Sequence, residues 1–294
     1  METIFKKNEK PLVSTITVTY NRAHLVKRAV ESILFQSYKK IEVILVNNAS
    51  TDKTSEVLVE LKKNDPRIVV ITAKSNIGSA MGLNIGVRAA KGKYIAILDD
   101  DDFWADPQKL EKQVKFFEER PEYVLTGGGI IKINEEGEEL IRYLFPEEDS
   151  EIRKIILAEN AFAHSTVLYK KDVWEKAGGY NKEFNGFEDM DMWLKTGKFG
   201  KMYNFQEFFA YYLAREYTKN RCDTRDYTIR RKLGLNIKLR KQYKNDYPGY
   251  KKSIFLCWTS YLYSFLPFRQ KLRPILFKLR VVIFGPPAYK YFKK

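Results

Sequence analysis

The chain has 294 residues, of which 44% are apolar and 30% are charged, and its formal net charge is +15. This length and composition exclude a fibrous or disordered chain and suit one large α/β domain with an appendage, or two modest domains. The two cysteines, Cys222 and Cys257, stand in unrelated contexts, which excludes a disulfide framework or a zinc site. The first ten residues lack the apolar stretch of a signal peptide, so we expect the start of the chain to stay in the cytosol.

From residue 12 to residue 99 the sequence repeats a short β-branched run, a polar turn and an amphipathic stretch of helix length. The repeat predicts strands and helices in alternation, at Val13–Thr19, Ala23–Gln36, Ile41–Val46, Asp52–Lys63, Ile68–Thr72, Ser79–Ala90 and Tyr94–Leu98. Right-handed crossovers then give a Rossmann-like doubly wound core, which binds ligands at the carboxyl ends of its strands. Polar clusters fall at those ends and converge on one edge of the sheet: Thr19–Asn21, Asn47–Asp52, Ser75–Gly78 and Asp99–Asp102.

The last of these clusters is a run of four consecutive aspartates directly after an apolar strand. Carboxylates packed this tightly repel one another and lose hydration unless a cation neutralises them, so the run indicates a divalent metal site. The alternative is an acidic loop that caps the next helix, because Asp106 and Pro107 are typical N-cap and first-turn residues. The strand that precedes the run favours the metal site.

The sequence after the aspartate run has shorter elements and more turns. We predict helices at Asp106–Arg120, Ser150–Glu159, Asp172–Ala177 and Glu188–Lys198, strands at Val124–Ile133 and Ser165–Tyr169, and turns at Asn134–Gly137 and Gly178–Tyr180. We interpret this half as the part of the chain that recognises the substrate.

Four segments, VTYNRAH, VNNASTDKT, NIGSAMGLNIGVRAAKGKYIAILDDDDFW and FEDMDMWL, follow one another in an order that resembles the family 2 glycosyltransferases of the GT-A fold. The resemblance covers about residues 11–215. It implies an α/β fold, with a Rossmann-like mixed sheet flanked by helices. It also implies that a nucleotide-diphosphate sugar lies across the strand ends, that a divalent cation bridges its diphosphate to an Asp-any-Asp motif, and that a carboxylate deprotonates the acceptor hydroxyl.

Asp99 and Asp101 match the two aspartates of that motif, which implies Asp101 as the direct metal ligand and Asp99 as a second one nearer the ribose. A diphosphate leaving group gains negative charge as the glycosidic bond breaks, and the hard cations Mn²⁺ or Mg²⁺ can neutralise it. We therefore expect Mn²⁺ or Mg²⁺ as cofactor. Asp100 and Asp102 either shape the turn or hold metal-bound water, and we place Asp100 among the donor contacts.

Asp189 matches the catalytic base of the family. A sugar hydroxyl is too weakly acidic to ionise at neutral pH, so a carboxylate must take its proton as the new bond forms. One base and one in-line displacement invert the configuration at the anomeric carbon. The alternative is that Glu188, Asp189 and Asp191 only load the N-terminus of a helix with favourable charge.

The resemblance also implies where the nucleotide sugar binds. Its predicted contacts are Thr19, Tyr20 and Asn21 around the nucleobase, together with Asn48, Asn76, Gly78, Asn84, Asp99 and Asp100. Asn21 fits equally well as a plain cap between strand and helix. Asn48 stands where relatives usually carry an aspartate for the uracil N3–H, and an amide oxygen accepts that bond without charge assistance.

A second departure from the family pattern is Leu83, where many relatives place an arginine that helps to hold the diphosphate. Lys74, Arg88 or Arg215 are the basic residues that could substitute for it.

Predicted acceptor contacts come from the second half of the chain. His164 lies where relatives carry a histidine beside the acceptor, although a satisfied structural histidine would look the same. Gly179 and Tyr180 match the turn that frames the acceptor pocket, and Glu188 stands next to the proposed base.

The net charge of the chain lies in its last quarter. Residues 216–294 hold 20 Lys and Arg against 4 Asp and Glu, whereas residues 1–215 hold 32 against 33. We therefore predict a boundary near Glu216–Arg225. Residues 1–220 would form the catalytic domain, with a nucleotide-sugar half at about 11–105 and an acceptor half at about 106–215. Residues 221–294 would form a basic, amphipathic helical tail.

The tail contains an uncharged apolar and aromatic run, 253–268, followed by alternating basic and apolar residues. Sixteen residues are fewer than the roughly 20 that span a bilayer, so we expect an interfacial helix on anionic lipid through residues 253–294. The alternative is a helical hairpin that packs its apolar side on the catalytic domain. Nucleic-acid binding is disfavoured, because no nucleic-acid module accompanies the basic residues.

These observations predict an inverting, metal-dependent glycosyltransferase that moves a sugar from a UDP-sugar to a hydroxyl of a glycan or lipid-linked acceptor. We expect it to act in surface polysaccharide or glycolipid assembly at the cytoplasmic face of the plasma membrane. A sugar-nucleotide pyrophosphorylase is the rival enzyme, but it needs a glycine-rich loop after the first strand, and residues 19–24 hold no glycine. A non-catalytic nucleotide-sugar-binding module is the alternative of another class.

Overall fold

A computed structural model describes residues 10–214, 229–265 and 289–292. In chain order its first half contains β1 Val13–Thr19, α1 Ala23–Leu34, β2 Ile41–Asn47, α2 Thr54–Asn64, β3 Ile68–Thr72, α3 Ser79–Ala89, β4 Tyr94–Ile97, β5 Phe103–Trp104 and α4 Lys109–Glu119. Its second half contains β6 Tyr123–Ile133, β7 Glu139–Leu144, α5 Asp149–Ile155, β8 Leu168–Lys170, α6 Lys171–Lys176, α7 Glu188–Thr196, β9 Lys201–Leu213, α8 Ile229–Gln242, α9 Tyr250–Ser264 and β10 Lys290–Phe292.

The strands form one mixed sheet. Its order is β10-β7-β6-β8-β4-β1-β2-β3, with β9 paired to β6 and to β5. The strands β4, β1, β2 and β3 run parallel, and β8 joins β4 antiparallel. The predicted α/β class and its parallel strands are confirmed, and the carboxyl ends of these strands meet at one edge.

The parallel strands β1, β2 and β4 are buried on both faces, which explains their continuous apolar sequence, whereas β3 lies at the edge of the sheet and is partly exposed. In β2, Val43 and Leu45 belong to one core cluster, whereas Ile44 and Val46 belong to the cluster on the other face. Helices α1, α2 and α4 cover the first face, and α3, α7 and α8 contribute to the second. Side chains alternate along a strand, so each strand adds to both clusters.

Helix α3 packs unusually close to β1. A Cβ atom at Gly86 would lie 2.5 Å from Cγ2 of Ile16, and one at Gly82 would lie 2.7 Å from Cγ1 of Val18. The glycines in the segment GLNIGV therefore let the helix approach the sheet, and this sets where the N-terminus of α3 meets the strand ends.

One predicted strand is partly wrong. Residues 165–169 were expected to be extended, but His164–Thr166 forms a 3₁₀ turn and β8 begins only at Leu168. The Oγ1 of Thr166 donates to the Ala163 carbonyl over 2.8 Å, and the Ser165 hydroxyl donates to Asp102. These side-chain bonds compete with the extended conformation at the start of the segment.

Helix α8 packs on the side of the sheet that carries α7. Leu239, Tyr243 and Tyr247 are buried in the same cluster as Trp193 and Met202. This packing places α8 on the catalytic core, whereas the two arrangements expected for residues 253–294 concern the chain that follows α8. The boundary at 216–225, the residues Arg215 and Cys222, and the basic residues 269–280 lie outside the described residues. Among the helices that the structure describes, none combines the length and apolarity needed to cross a bilayer.

Candidate active site

A cavity of about 470 Å³ opens at the carboxyl ends of β1 and β4. It brings together predicted residues from both halves of the chain, namely Asp99, Asp100, Asp101, His164, Glu188 and Asp189. The aspartate run and the proposed base therefore face one space, although about 90 residues separate them in sequence. Parallel sheets bind ligands at the carboxyl ends of their strands, so this edge is where an active site is expected.

Asp102 holds the aspartate turn in place. Its Oδ1 accepts from the backbone N–H of Leu213 over 3.1 Å, and its Oδ2 accepts from the Ser165 hydroxyl. The Ser165 Oγ in turn accepts from the backbone N–H of Asp99. Both oxygens of Asp102 are therefore committed to the protein, so of the two roles expected for it, the structure favours shaping the turn.

Arg22 is a site residue that sequence reasoning missed. Its guanidinium is buried and donates from Nη1 to Oδ2 of Asp101 over 2.9 Å, with Oδ1 of Asp100 at 4.0 Å. Arg22 follows directly on the predicted Asn21 in the segment VTYNRAH. The available signal was its position directly after a predicted strand. An arginine that becomes buried at such a place normally pairs with carboxylates.

Within the described part of the chain, the positive side chains beside the aspartate run only partly offset its negative charge. Burial and the neighbouring Asp101 raise the pKa of Asp100 to about 7, and Arg22 offsets this only in part. Burial and the adjacent carboxylates also hold the pKa of Asp102 well above its usual range. The run therefore has the electrostatics of a site that attracts a further cation.

The oxygens of the run suit a hard cation. Oδ2 of Asp100 is buried and has no hydrogen-bond partner among the described residues. Within the described ranges, no three His, Cys, Asp or Glu side chains gather as a ready-made metal cage. A cation held by Asp99 and Asp101 would thus need further oxygen ligands from a bound molecule or from water, which is how Mg²⁺ commonly binds beside phosphates.

His164 stands between the aspartate run and the proposed base. Its Nδ1 lies 2.9 Å from Oδ1 of Asp99. Burial alone would lower the pKa of His164, but the Asp99 carboxylate outweighs burial and raises it to about 9, with smaller contributions from Asp189 and Glu188. Its Nε2 is buried without a hydrogen-bond partner among the described residues, so it can serve a molecule in the cavity.

Asp189 is held from two directions at the first turn of α7. Its Oδ2 accepts from the amide of Asn160 over 2.6 Å, and its Oδ1 accepts from the backbone N–H of Met190 over 2.7 Å. Burial raises the pKa of Asp189, although His164 opposes this rise. A carboxylate with a raised pKa is a better proton acceptor than an ordinary aspartate. Asn160 lies in a loop without a recognisable motif, and sequence reasoning missed it.

Glu188 links the first turn of α7 to the start of α3. It accepts from the Ser79 hydroxyl and from the backbone N–H of Gly186. Oδ1 of Asn185 accepts from the Ser79 hydroxyl over 3.0 Å and from the backbone N–H of Ala80 over 3.2 Å. Glu188 is therefore fully used in joining the two halves of the site, and burial raises its pKa.

Several predicted nucleotide contacts lie at the strand ends outside the cavity and bind one another. Asn48 is buried, donates to Oδ1 of Asn76 over 2.9 Å and accepts from the backbone N–H of Ile77 over 3.0 Å. Oδ1 of Asn76 also accepts from the N–H of Gly78, whose φ of +80° lies in the region that favours glycine. These contacts shape the loop before α3. Thr19 is buried at the end of β1 and Tyr20 is half-buried beside it.

Asn21 connects the loops after β1 and β2. With φ at +54°, it accepts at Oδ1 from the backbone N–H of Thr51 over 2.7 Å, and its own N–H donates to Ser50. In place of the plain cap expected as the alternative, Asn21 therefore forms a bridge between two loops.

Asn84, Gly179 and Tyr180 lie behind the cavity. The side chain of Asn84 donates to the Tyr180 carbonyl and accepts from the Tyr180 N–H, each over 2.8 Å. A Cβ atom at Gly179 would lie 2.7 Å from Oδ1 of Asn84, and the φ of Gly179 is +70°. These residues lock the 178–180 turn onto α3, and none of them lines the cavity.

The structure gives Leu83 an apolar position on the cavity wall. The substitutes expected for a cation there, Lys74 and Arg88, are exposed and do not line the cavity. Arg22 does line it. Among the described residues, the permanently positive side chain nearest to the aspartate run is therefore that of Arg22, in the turn between β1 and α1.

Residues 14–178 match the model of the family described as "Glycosyl transferase family 2". The chain is 34% identical over 191 residues to an uncharacterized glycosyltransferase, MJ1057, of Methanocaldococcus jannaschii, which is 64% of this chain and 65% of that protein. The chain thus spans somewhat less than two thirds of that relative. It is 43% identical over 113 residues to the putative teichuronic acid biosynthesis glycosyltransferase TuaG of Bacillus subtilis, covering 38% of this chain and 44% of that one.

Two solved structures share the fold. The S. aureus protein TarS, residues 1–349 in complex with UDP, superposes with a TM-score of 0.66 at 15% identity, over 90% of this chain and 78% of that one. The mannosyltransferase PcManGT of Pyrobaculum calidifontis, in complex with GDP-Man and Mn²⁺, gives 0.62 at 20% identity, over 96% and 78%. At these identities the likeness concerns the fold, which is the GT-A fold.

Proposed function

The chain belongs to glycosyl transferase family 2, and on that premise we propose that it is an inverting enzyme that transfers a sugar from a UDP-sugar to an acceptor hydroxyl. The observation that carries the proposal is the shared cavity, which the aspartate run, His164 and Asp189 all line, with His164 in contact with Asp99. In such a transfer the sugar bonds to the acceptor oxygen while the diphosphate leaves, so a cation that stabilises the leaving group and a base that takes the hydroxyl proton both serve the reaction.

Asp189 is the proposed base. Burial raises its pKa, while Asn160 and the Met190 N–H hold its two oxygens. Asp189 would accept the acceptor proton as the hydroxyl oxygen attacks the anomeric carbon and the bond to the diphosphate breaks. A single displacement of this kind inverts the anomeric configuration.

Asp101 and Asp99 are the proposed holders of Mn²⁺ or Mg²⁺, which would neutralise the charge that develops on the diphosphate. The unpartnered Oδ2 of Asp100 and the raised pKa of that residue support a cation at this end. Arg22 would add a permanent positive charge there, in place of the arginine that Leu83 replaces. The PcManGT structure with GDP-Man and Mn²⁺ supports a metal, and the TarS structure with UDP supports the nucleotide.

A thermal-shift screen tests the donor. We expect a UDP-sugar with Mn²⁺ to raise the melting temperature by roughly 5 °C at a concentration near 100 times its Kd. GDP-, CMP- and dTDP-sugars should raise it less, and EDTA should remove the effect. Release of UDP from the stabilising donor then separates an enzyme from a non-catalytic binding module. Stabilisation without any release, across acceptors and in water, would contradict the proposed activity.

We further propose that residues 1–220 form the catalytic domain, with a nucleotide-sugar half at about 11–105 and an acceptor half at about 106–215. Residues 221–294 would form the basic tail, and its residues 253–294 would contact an anionic membrane surface, where a lipid-linked or glycan acceptor of a surface polysaccharide is presented. The name of TuaG, from teichuronic acid biosynthesis, supports the acceptor class.

Helix α9 supports the membrane contact. Phe255, Trp258, Leu262 and Phe265 recur at helical spacing and are between 47% and 61% exposed. Two exposed lysines, Lys251 and Lys252, stand at the first turn of the same helix. Large apolar side chains beside cationic ones suit an interfacial helix.

Sedimentation with vesicles tests this contact. The full chain should bind vesicles of anionic phosphatidylglycerol at low salt, and binding should weaken at high salt because the ions screen the lysines. A Trp258→Ser, Leu262→Ser double variant should bind about tenfold more weakly, since it loses apolar area that lipid would bury. Phe199→Ser is the matched control, because Phe199 is 46% exposed but belongs to the loop between α7 and β9, outside the proposed membrane-binding residues. Failure to bind at low salt, or equal loss in the control, would refute the proposal.

A further inference from the structure

We propose that Asp191 is a positioning residue for the base Asp189, and that Tyr243, the first residue after α8, holds it in place. This inference rests on the proposed function of Asp189. Asp191 is fully buried in the first turn of α7, and its Oδ1 accepts from the Tyr243 hydroxyl over 2.7 Å. Its Oδ2 lies 2.6 Å from Nζ of Lys195.

The Asp191 carboxylate joins three parts of the molecule. Tyr243 belongs to the turn that directly follows α8, and Lys195 lies one helical turn further along α7. Nζ of Lys195 also donates to the Gly179 carbonyl over 2.9 Å, which connects the pair to the turn that Asn84 locks onto α3. A fully buried carboxylate is costly unless it is paired and hydrogen-bonded. The position of Asp191 is therefore tightly specified by its partners.

The geometry of helix α7 links the position of Asp191 to the position of the proposed base, Asp189. Residues 189 and 191 are two positions apart, or roughly 200° around an α-helix, so their side chains point to opposite sides of α7. Asp189 faces the cavity and Asp191 faces Tyr243, in the turn that follows α8. Fixing Asp191 against this turn therefore fixes the rotation of α7 about its own axis, which aims Asp189.

A small rotation of α7 would be enough to misplace the Asp189 carboxylate. A carboxylate roughly 6 Å from the helix axis moves about 1 Å when the helix turns by about 10°, and misplacement of that size can cost about 10²-fold in rate. Burial and the Asp191 carboxylate hold the pKa of Tyr243 well above its usual range, so its hydroxyl remains a donor over the working pH range.

Tyr247 supplies a matched control. It lies one turn beyond Tyr243, is equally buried, and donates from its hydroxyl to the Leu194 carbonyl of the same helix α7 over 2.8 Å. Tyr243→Phe and Tyr247→Phe each remove one hydroxyl and one bond to α7 while the ring stays packed. Only the first bond ends on Asp191.

We expect Tyr243→Phe to lower kcat by about 3- to 10-fold with the donor KM within twofold, since the base is misaimed while donor binding is intact. The acid limb of the rate profile should move to lower pH, because a looser α7 admits water to Asp189. Tyr247→Phe should keep the kcat and the acid limb of the original chain. Lys195→Met is a second variant, which loosens the same carboxylate from the other side and should repeat the effect of Tyr243→Phe.

Hydrogen exchange tests the geometry without any substrate. In Tyr243→Phe the amides of residues 186–191 should exchange several-fold faster than in Tyr247→Phe. An unchanged kcat and acid limb in Tyr243→Phe, or equal exchange in the two tyrosine variants, would overturn the inference. Failure of the original chain to turn over any donor would count against the proposed function alone, because the exchange result still decides the positioning role.

Discussion

An Asp189→Asn enzyme is expected to transfer sugar about 10²- to 10⁴-fold more slowly than the original chain, because the amide cannot accept the acceptor proton. The donor KM should change little, since Asp189 lies opposite the aspartate run. Steady-state transfer with the donor identified by the thermal-shift screen measures both parameters. Asp172→Asn is the control, because Asp172 is exposed on α6 and pairs only with Lys176 there. A fully active Asp189→Asn enzyme would remove the base from the proposal.

The Asp189→Asn substitution should also change the stability of the fold. Burial raises the pKa of Asp189, so the charged carboxylate lowers the stability of the fold at neutral pH. Asp189→Asn should therefore melt at a higher temperature at pH 7. This difference should shrink as the pH falls through the raised pKa and vanish below the ordinary pKa of aspartate, where both side chains are neutral. Transfer by the original chain should decline through the raised pKa as the base becomes protonated.

An Asp101→Asn enzyme is expected to lose about 10²- to 10³-fold in kcat/KM and most of its response to Mn²⁺, because a neutral amide is a poor ligand for a hard divalent cation. The amide keeps an oxygen that can accept from Arg22, so the turn should stay folded. Titration of transfer rate against Mn²⁺ measures the change. A wild-type metal response would show that Asp101 does not hold the ion.

Asp102→Asn is the matched control within the same aspartate run. Both oxygens of Asp102 bind the protein, to Ser165 and to the Leu213 N–H. We expect this variant to change the melting temperature while its apparent affinity for Mn²⁺ stays within about twofold of the original chain. Equal loss of metal response at Asp101 and Asp102 would mean that the run acts through its total charge, and that Asp101 has no special role.

The local pattern was sufficient to predict the strands and helices from β1 to β4, whereas the short strand β5 was not predicted. Strands β1 and β3 have the predicted bounds, and β2 and β4 differ by one residue, because a buried parallel strand reads as a continuous β-branched run between polar turns. Strand β9 was not predicted, since its neighbours in the sheet are distant in sequence.

Fold class, family and the position of the aspartate run at a strand end could all be predicted from the sequence, because they depend on periodicity and on short motifs with fixed spacing. The set of polar groups that share the cavity became visible only in the folded chain. Folding brings Arg22 and His164 to the aspartate run and Asn160 to Asp189, and it turns Asn84 away from the cavity. The partners of a side chain depend on how the helices pack and rotate on the sheet, and no local sequence pattern records that rotation.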